Sequence, residues 1–428
     1  MAETTGHIDR FEQDLDLIES CGITRLRYPV RWHRIEAAPG EFDWRATDAV
    51  MDRLRERGMS PIVDLVHHTS YPRWLTDGFG DTRFPTAYLR YAEAVARRYG
   101  WIEEYTLFNE PFSTLMLCGH EAIWPPYRQG LHDFLGLVRN VLPAVAEASR
   151  SYRELLPDAK HVYVDSCERH TAAGPEGVGM AELANDRRFF VADVFLGRHL
   201  DRDRPFVRQV VDAGFEDLLT MPPGRIDVLG LDYYAHCQWE FSAWGVGLVP
   251  TPRPASLCEQ IVEYWNRYDL PCMLGETNIR GFGPDQATWL KYTLEQCARA
   301  RDAGVPFDGF CWFPFVDSAD WDSLLYRCDG NLDPVGVYSI DCNLDRQATS
   351  MTESFRLAAS GAPASALPAF ELQEPVATWL KGYRPQMAHW RWKPPPPEEI
   401  GPVQDPDMRI ELKIVDPDET NGACDDRG

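Results

Sequence analysis

The sequence predicts an α/β fold, and within that class a parallel (β/α)8 TIM barrel that lacks its first strand. Short apolar runs alternate with amphipathic segments from residue 8 to residue 358, which is typical of a parallel sheet covered by helices. Chemically active side chains follow the apolar runs, as expected where barrel strands end at one mouth. These side chains are Arg27, His67, Glu110, Tyr234, Glu276 and Trp312.

The alternation begins with a helix over 8–20, where Ile8, Leu15 and Ile18 recur at helical intervals and Gly22 follows as a stop signal. A short strand is predicted at 23–28. The further predicted strands lie at 61–66, 104–108, 161–164, 226–231, 272–275 and 307–312. The further predicted helices lie at 45–57, 84–99, 131–155, 185–199, 204–214, 255–268, 285–303 and 347–358.

The sequence pattern predicts about seven strands, whereas the barrel architecture has eight. The deficit lies at the beginning, because only residues 1–6 precede the first helix. Two explanations stay open: a start assigned too late, or a true lack of the strand, which would leave the edges of its two neighbours unpaired. A doubly wound nucleotide-binding sheet is disfavoured because no G-x-G-x-x-G turn follows a strand.

The composition divides the chain into two parts. We expect the incomplete barrel to span residues 1–359. Residues 360–428 begin with Ala, Ser, Gly and Pro and continue through Pro394–Pro397, which predicts a linker and a largely disordered tail. In that tail only the segment 409–415 alternates well enough to suggest a strand.

The overall charge limits the possible partners. A formal charge of -23 opposes attraction to nucleic acid or to anionic lipid. The sequence carries no basic segment followed by an apolar h-region and no long apolar run, so we expect a cytoplasmic protein. Eleven cysteines without a C-x-x-C pair predict reduced thiols rather than a zinc site, and we expect no cofactor. The oligomeric state is left open.

Two glutamates follow separate strands in similar settings. Glu110 lies in Thr106-Leu107-Phe108-Asn109-Glu110-Pro111, and Glu276 lies in Leu274-Gly275-Glu276-Thr277-Asn278. Hydrolysis of a glycoside with retention requires two carboxyl groups about 5 to 5.5 Å apart, one to protonate the leaving oxygen and one to attack the anomeric carbon. This pair is the candidate catalytic machinery.

The ordered motifs of the chain resemble those of glycoside hydrolase family 1. Beside Asn109-Glu110-Pro111, the segment Arg27-Tyr28-Pro29-Val30-Arg31-Trp32-His33-Arg34-Ile35 is similar to the family's R-x-S-x-x-W-x-R-I. The family's fourth strand ends in T-F-N-E-P and its seventh in T-E-N-G. The resemblance runs from about His7 to about Tyr338 and implies a retaining β-glycosidase for a small glycoside or oligosaccharide.

The resemblance assigns roles position by position. Glu110 matches the general acid/base and Glu276 the nucleophile. Asn109 matches the amide that binds the sugar 2-hydroxyl, and Arg27 matches the arginine that keeps the nucleophile ionised. Tyr234 matches the tyrosine that hydrogen-bonds the nucleophile.

Further positions match sugar-binding residues. Trp312 matches the aromatic platform beneath the sugar. His67 matches the histidine at the 3-hydroxyl if residues are counted from the start of the strand, whereas His68 matches if they are counted back from Pro72; strand register favours His67. Asp320 and Trp321 match the pair that binds the 4- and 6-hydroxyls.

The departures from the family keep other functions open. Asp232 replaces an Asn, Asp320 replaces a Glu, and the family's first strand, with its sugar-binding glutamine, is missing. A degenerate barrel that binds sugar without catalysis is therefore one alternative. A metal-dependent hydrolase using His33, His67 and His68 is another, although adjacent strand residues point to opposite faces.

Overall fold

A computed structural model of the chain describes residues 2–242, 248–251, 254–325 and 328–371, without the side chain of Asp322. The strands in chain order are β1 (Arg25–Pro29), β2 (Glu36–Ala38), β3 (Glu41–Phe42), β4 (Ser60–Asp64), β5 (Glu104–Thr106), β6 (Lys160–Ser166), β7 (Arg169–Ala172), β8 (Val228–Asp232), β9 (Gln238–Phe241), β10 (Leu248–Pro250), β11 (Cys272–Glu276), β12 (Phe307–Phe310), β13 (Ser318–Ala319), β14 (Leu332–Asp333), β15 (Tyr338–Ile340) and β16 (Arg346–Ala348).

The helices surround the strands. In chain order they are α1 (His7–Ser20), α2 (Trp32–Ile35), α3 (Arg45–Glu56), α4 (Phe84–Arg98), α5 (Pro111–Gly119), α6 (Leu131–Leu155), α7 (Pro175–Phe195), α8 (Pro205–Asp212), α9 (Leu257–Tyr268), α10 (Gly283–Asp302) and α11 (Ser350–Ala359). Among the described residues no helix is both long enough and apolar enough to cross a membrane. The cytoplasmic location stays a prediction.

The described strands include a parallel sheet in the order β1-β4-β5-β6-β8-β11-β12. This order confirms the predicted α/β architecture and its seven barrel strands. A layer of Ile62, Val162, Val164 and Met273 fills the space enclosed by the sheet. A second, larger core lies between the outer face of the sheet and the helices.

The two edge strands of the sheet are β1 and β12, and within the described residues no strand pairs with the outer side of either. Arg25 Nη1 donates to the carbonyl oxygen of Asp308 (3.4 Å), so a side chain of one edge contacts the other. This gap is the position at which the sequence predicts the missing strand.

Local sequence signals explain several helix boundaries. Helix α9 begins with a capping box: Glu259 N donates to Ser256 Oγ (3.1 Å), and Ser256 N donates to the Glu259 carboxylate (2.7 Å). Helix α5 begins at Pro111, a residue suited to the first turn, directly after the strand-end Glu110. Helix α5 was not among the helices predicted from the sequence.

Two further elements differ from prediction. Helix α7 begins at Pro175, ten residues before the predicted start. The prediction missed its first turns because Gly177 and Gly179 have low helix propensity. A small sheet in the order β10-β9-β7 was not predicted, and it adds residues to the mouth of the barrel. The predicted tail strand at 409–415 lies outside the described residues, and the domain boundary at 359 stays a prediction.

Candidate active site

A cavity of about 280 Å³ opens where the barrel strands end. Both candidate carboxyls, Glu110 after β5 and Glu276 at the end of β11, lie on its wall. Tyr234 and Trp321 also lie on the wall. The fold thus brings these four predicted residues, which are far apart in the chain, to one cavity.

Glu110 lies at the junction between β5 and α5. Its φ of 43° falls in the left-handed region, and its backbone N donates to the carbonyl oxygen of Val164 (3.1 Å). The side chain is buried. Burial raises the pKa of Glu110 well above its ordinary value, and the nearby carboxylates of Glu276 and Asp165 raise it further. Both effects favour the protonated form of Glu110.

Glu276 is held by two donors from other strands. Arg27 Nη1 lies 2.6 Å from Glu276 Oε1, and the Tyr234 hydroxyl donates to Glu276 Oε2 (2.7 Å). Burial alone lowers the pKa of Arg27, but the carboxylates around it, above all that of Glu276, raise it above its ordinary value. The arginine therefore stays charged beside the carboxylate.

Arg27 also connects Glu276 to a second polar group. Arg27 Nη2 donates to Asn109 Oδ1 (2.6 Å) and lies 3.6 Å from Asp64 Oδ2. The Asn109 Nδ2 amino group is buried and has no hydrogen-bond partner among the described residues. A buried donor without a partner is costly, which makes this group available to an incoming hydroxyl.

Asp232 lies beside the nucleophile candidate. It pairs with Glu276 in the register of β8 and β11, and its side chain packs against Gly275. The carboxyl is fully buried, and both of its oxygens lack hydrogen-bond partners in the described part of the chain. Burial raises the pKa of Asp232 well above its ordinary value, as do the charges of Glu276 and Glu110. The environment of Asp232 therefore favours the neutral form of its carboxyl.

His68, rather than His67, lies on the cavity wall. Its φ of 48° interrupts the alternation of the strand, and its ring lies 4.6 Å from Trp124 and 5.7 Å from Trp321. Burial lowers the pKa of His68 well below its ordinary value, so the ring is neutral. His67 instead places Nδ1 2.8 Å from Asp64 Oδ2. Which histidine binds substrate stays a prediction.

Two other predicted residues lie behind the wall. Trp312 is buried, and its indole N–H donates to the carbonyl oxygen of Val335 (2.8 Å). Asp320 is also buried, and its Oδ1 accepts backbone N–H bonds from Asp329 (3.1 Å) and Asn331 (2.9 Å). The short side chain of Asp320 therefore supports a loop, and neither residue lines the cavity.

Several cavity residues were not predicted from the sequence. Arg280 and Asp333 form an ion pair on the wall, and Asp333 Oδ2 also accepts the backbone N–H of Trp321 (2.7 Å). Glu168 follows β6, and Arg187 projects from α7. Only the position of Glu168 after a strand could have indicated it. In the described part of the chain no group of three His, Cys, Asp or Glu side chains is placed to hold a metal ion.

Comparisons with known proteins identify the family to which the chain belongs. The profile of Glycosyl hydrolase family 1 matches residues 3–243, more than half of the chain. Beta-glucosidase A of Thermotoga maritima is 22% identical over 351 residues, covering 74% of this chain and 78% of that protein. The beta-glucosidase of an Agrobacterium species is 25% identical over 362 residues, covering 74% and 77%.

Solved structures show the same fold. The Thermotoga maritima beta-glucosidase in complex with azafagomine superimposes with a TM-score of 0.71 at 19% identity, over 85% of this chain and 88% of that chain. Its complex with glucoimidazole gives a TM-score of 0.72 with the same coverage. These similarities confirm the predicted (β/α)8 barrel fold. From the match of its sequence to the family profile, the chain belongs to glycosyl hydrolase family 1 and is a glycoside hydrolase.

Proposed function

We propose that this chain is a retaining β-glycosidase that hydrolyses a β-linked glucoside, galactoside or related small glycoside through a covalent glycosyl-enzyme. One observation carries the proposal: Glu276, fixed by Arg27 and Tyr234, lies on the same cavity wall as Glu110, whose raised pKa favours the protonated form. A charged nucleophile and a neutral acid at one cavity are what retaining hydrolysis requires.

In the first step a Glu276 carboxylate oxygen attacks the anomeric carbon while Glu110 gives its proton to the glycosidic oxygen. The bond between the anomeric carbon and that oxygen breaks, and the leaving group departs as an alcohol. In the second step Glu110, now a carboxylate, takes a proton from water. The water oxygen attacks the anomeric carbon, and Glu276 leaves as a carboxylate.

The neighbouring residues have positioning roles in this proposal. Arg27 and Tyr234 occupy one Glu276 oxygen each, which orients the carboxylate and offsets its burial. The unpartnered Asn109 amino group donates to the sugar 2-hydroxyl, where a hydrogen bond strengthens as the transition state forms. Trp321, near His68 and Trp124, provides an apolar face for the sugar ring.

The nearest test is turnover of aryl β-D-glucosides and β-D-galactosides. The names of the beta-glucosidase relatives support glucosides as the first choice. We expect NMR to detect the β-anomer as first product. Glu276→Gln should lower kcat/KM by about 1000-fold or more while keeping the thermal melting temperature. An α-anomer as first product, or an active Glu276→Gln, would refute the proposal.

Azide distinguishes the two carboxyls. In Glu276→Gly azide can occupy the vacated space and attack the anomeric carbon, so the expected product is an α-glycosyl azide. In Glu110→Ala azide replaces the water that attacks the glycosyl-enzyme, so a β-glycosyl azide is expected. The opposite pairing of products with variants would mean that the two roles are reversed.

The second candidate is a barrel that binds sugar without hydrolysing it. The position of Asp320 favours this candidate. The residue matches a sugar-binding position of the family, but its carboxylate binds loop amides and does not line the cavity. Calorimetry with glucose and cellobiose would select this candidate if either sugar binds while no aryl glycoside is turned over.

A further inference from the structure

Arg187 is exceptional among the arginines of the active site. It projects from α7 to the cavity wall and, among the described residues, donates no hydrogen bond and forms no ion pair. Its Nε is buried without a partner. By contrast, Arg280 on the same wall pairs with Asp333, and the next residue in the chain, Arg188, pairs with Glu263.

Within the described ranges, the carboxylates around Arg187 do not act as its hydrogen-bond or ion-pair partners. Burial lowers the pKa of Arg187, and the carboxylates of Glu168 and Glu121 only partly oppose that effect. Glu168 lies 4.0 Å from His170, and Glu121 lies 3.0 Å from His120, so each carboxylate has another neighbour. A half-buried guanidinium that has lost water without gaining a contact partner is costly, which indicates a site for an anion.

The position of Arg187 relates it to one part of the substrate. Helix α7, which carries Arg187, packs against α5, and α5 begins directly after Glu110, so Arg187 lies on the Glu110 side of the cavity. Glu110 is the group that would protonate the leaving oxygen, and the charge of Glu168 acts on both Glu110 and Arg187. Arg187 therefore faces the region that receives the leaving group.

We propose that Arg187 binds a carboxylate on the leaving group of the substrate, so that the enzyme prefers glycosides with an acidic aglycone. This inference rests on the proposed function and specifies its substrate class. A planar guanidinium with free N–H groups matches a carboxylate through two parallel hydrogen bonds. The formal charge of -23 repels anions in general, so a local preference for one requires a dedicated partner.

The test compares 4-carboxyphenyl β-D-glucoside with its neutral isostere, 4-carbamoylphenyl β-D-glucoside. We expect Arg187→Gln to lower the ratio of their kcat/KM values by about tenfold or more, while turnover of the neutral glycoside changes by less than about threefold. Arg187→Lys should retain part of the preference. Arg208→Gln, an equal change of charge on the exposed surface of α8, should leave the ratio unchanged.

The outcomes separate this inference from the proposed function. If the neutral glycoside is hydrolysed but the ratio is the same in wild type and Arg187→Gln, the acidic-aglycone proposal is wrong while the glycosidase proposal stands. If neither glycoside is hydrolysed, their binding can still be measured by calorimetry. The carboxyphenyl glucoside should bind about tenfold more tightly than the carbamoylphenyl glucoside, and Arg187→Gln should remove that difference. Equal binding of the two would overturn the inference.

Discussion

Arg27 Nη1 and Glu276 Oε1 lie 2.6 Å apart, although β1 is an edge of the barrel sheet and β11 lies next to the opposite edge. The guanidinium also donates to the carbonyl oxygen of Gly275 (3.3 Å). One buried side chain thus crosses the enclosed space between these strands and fixes the nucleophile candidate. In the proposed mechanism this pair combines a structural role with a catalytic one.

We predict that Arg27→Met lowers kcat/KM for an aryl β-glucoside by about 100-fold or more. The variant removes the charge that orients the Glu276 carboxylate and leaves that carboxylate with only the Tyr234 hydroxyl; a 100-fold loss corresponds to about 2.7 kcal/mol of activation free energy. The control is Arg25→Met on the same strand, which breaks the Arg25 contact to Glu104 away from the cavity. Steady-state kinetics should show less than a threefold loss there, and a similar loss in both variants would contradict the catalytic role.

The arrangement around Arg27 could be predicted from sequence because parallel barrel strands end at one mouth. The strand-end positions of Tyr234 and Glu276 predict that they meet at this mouth, whereas Arg27, in the middle of β1, was predicted beside Glu276 from the resemblance to the family. Counting along a strand could not choose between His67 and His68, since the left-handed backbone at His68 breaks the period of two on which such counting depends.

The other differences between the predicted and the observed positions of site residues depend on tertiary contacts. Asp320 contacts the amides of a loop that returns eleven residues later, and nothing in its own segment encodes that return. Trp312 likewise donates to a carbonyl 23 residues away. Arg187 belongs to a helix whose apolar pattern is weak, so its orientation toward the cavity follows from the packing of α7 and not from a motif.

We predict that Asp232→Asn stabilises the protein increasingly as the pH rises from 5 to 7.5. The pKa of Asp232 is raised by burial and by Glu276, whereas in the unfolded chain it is about 3.9. Folding then requires proton uptake above that value, and stability falls by up to about 1.4 kcal/mol per pH unit until the folded pKa is reached. Asn has no proton to take up, so the difference in melting temperature should widen with pH. The exposed Asp52→Asn is the control, and a constant difference would contradict the prediction.

We predict that Asp165→Asn moves the alkaline limb of the pH profile of kcat/KM to lower pH by about one unit. Burial raises the pKa of Asp165 to about 7, so above that pH its charge helps to raise the pKa of Glu110. The limb reports loss of the proton from Glu110, and removing the charge lets that proton leave earlier. The control substrate is 2,4-dinitrophenyl β-D-glucoside, which needs no acid and should show no such shift. If the alkaline limb does not move with an ordinary aryl glucoside, the charge of Asp165 does not affect the pKa of Glu110.

The last prediction concerns the contact between α1 and the β15–β16 hairpin. Arg346 is fully buried and forms two hydrogen bonds with Asp14, of 2.6 and 2.7 Å. Burial raises the pKa of Asp14, but the bonds from His7 and Arg346 outweigh it and lower the pKa overall. The pair therefore stabilises the fold above the ordinary Asp range, and this contribution is lost as the pH falls through the lowered pKa.

Arg346→Met should accordingly cost about 3 to 5 kcal/mol at pH 7, because Asp14 would stay buried without its bidentate partner. Arg10→Met is the matched control, since Arg10 joins the same two segments through a partly exposed pair with Asp345 (2.7 Å) and should cost about 1 kcal/mol or less. Thermal melting of both variants between pH 3 and 7 measures the difference. The difference between the two variants should narrow as the pH falls, because protonation of Asp14 removes the charge that Arg346 compensates. Equal melting temperatures at pH 7 would show that burial of the pair contributes nothing to stability.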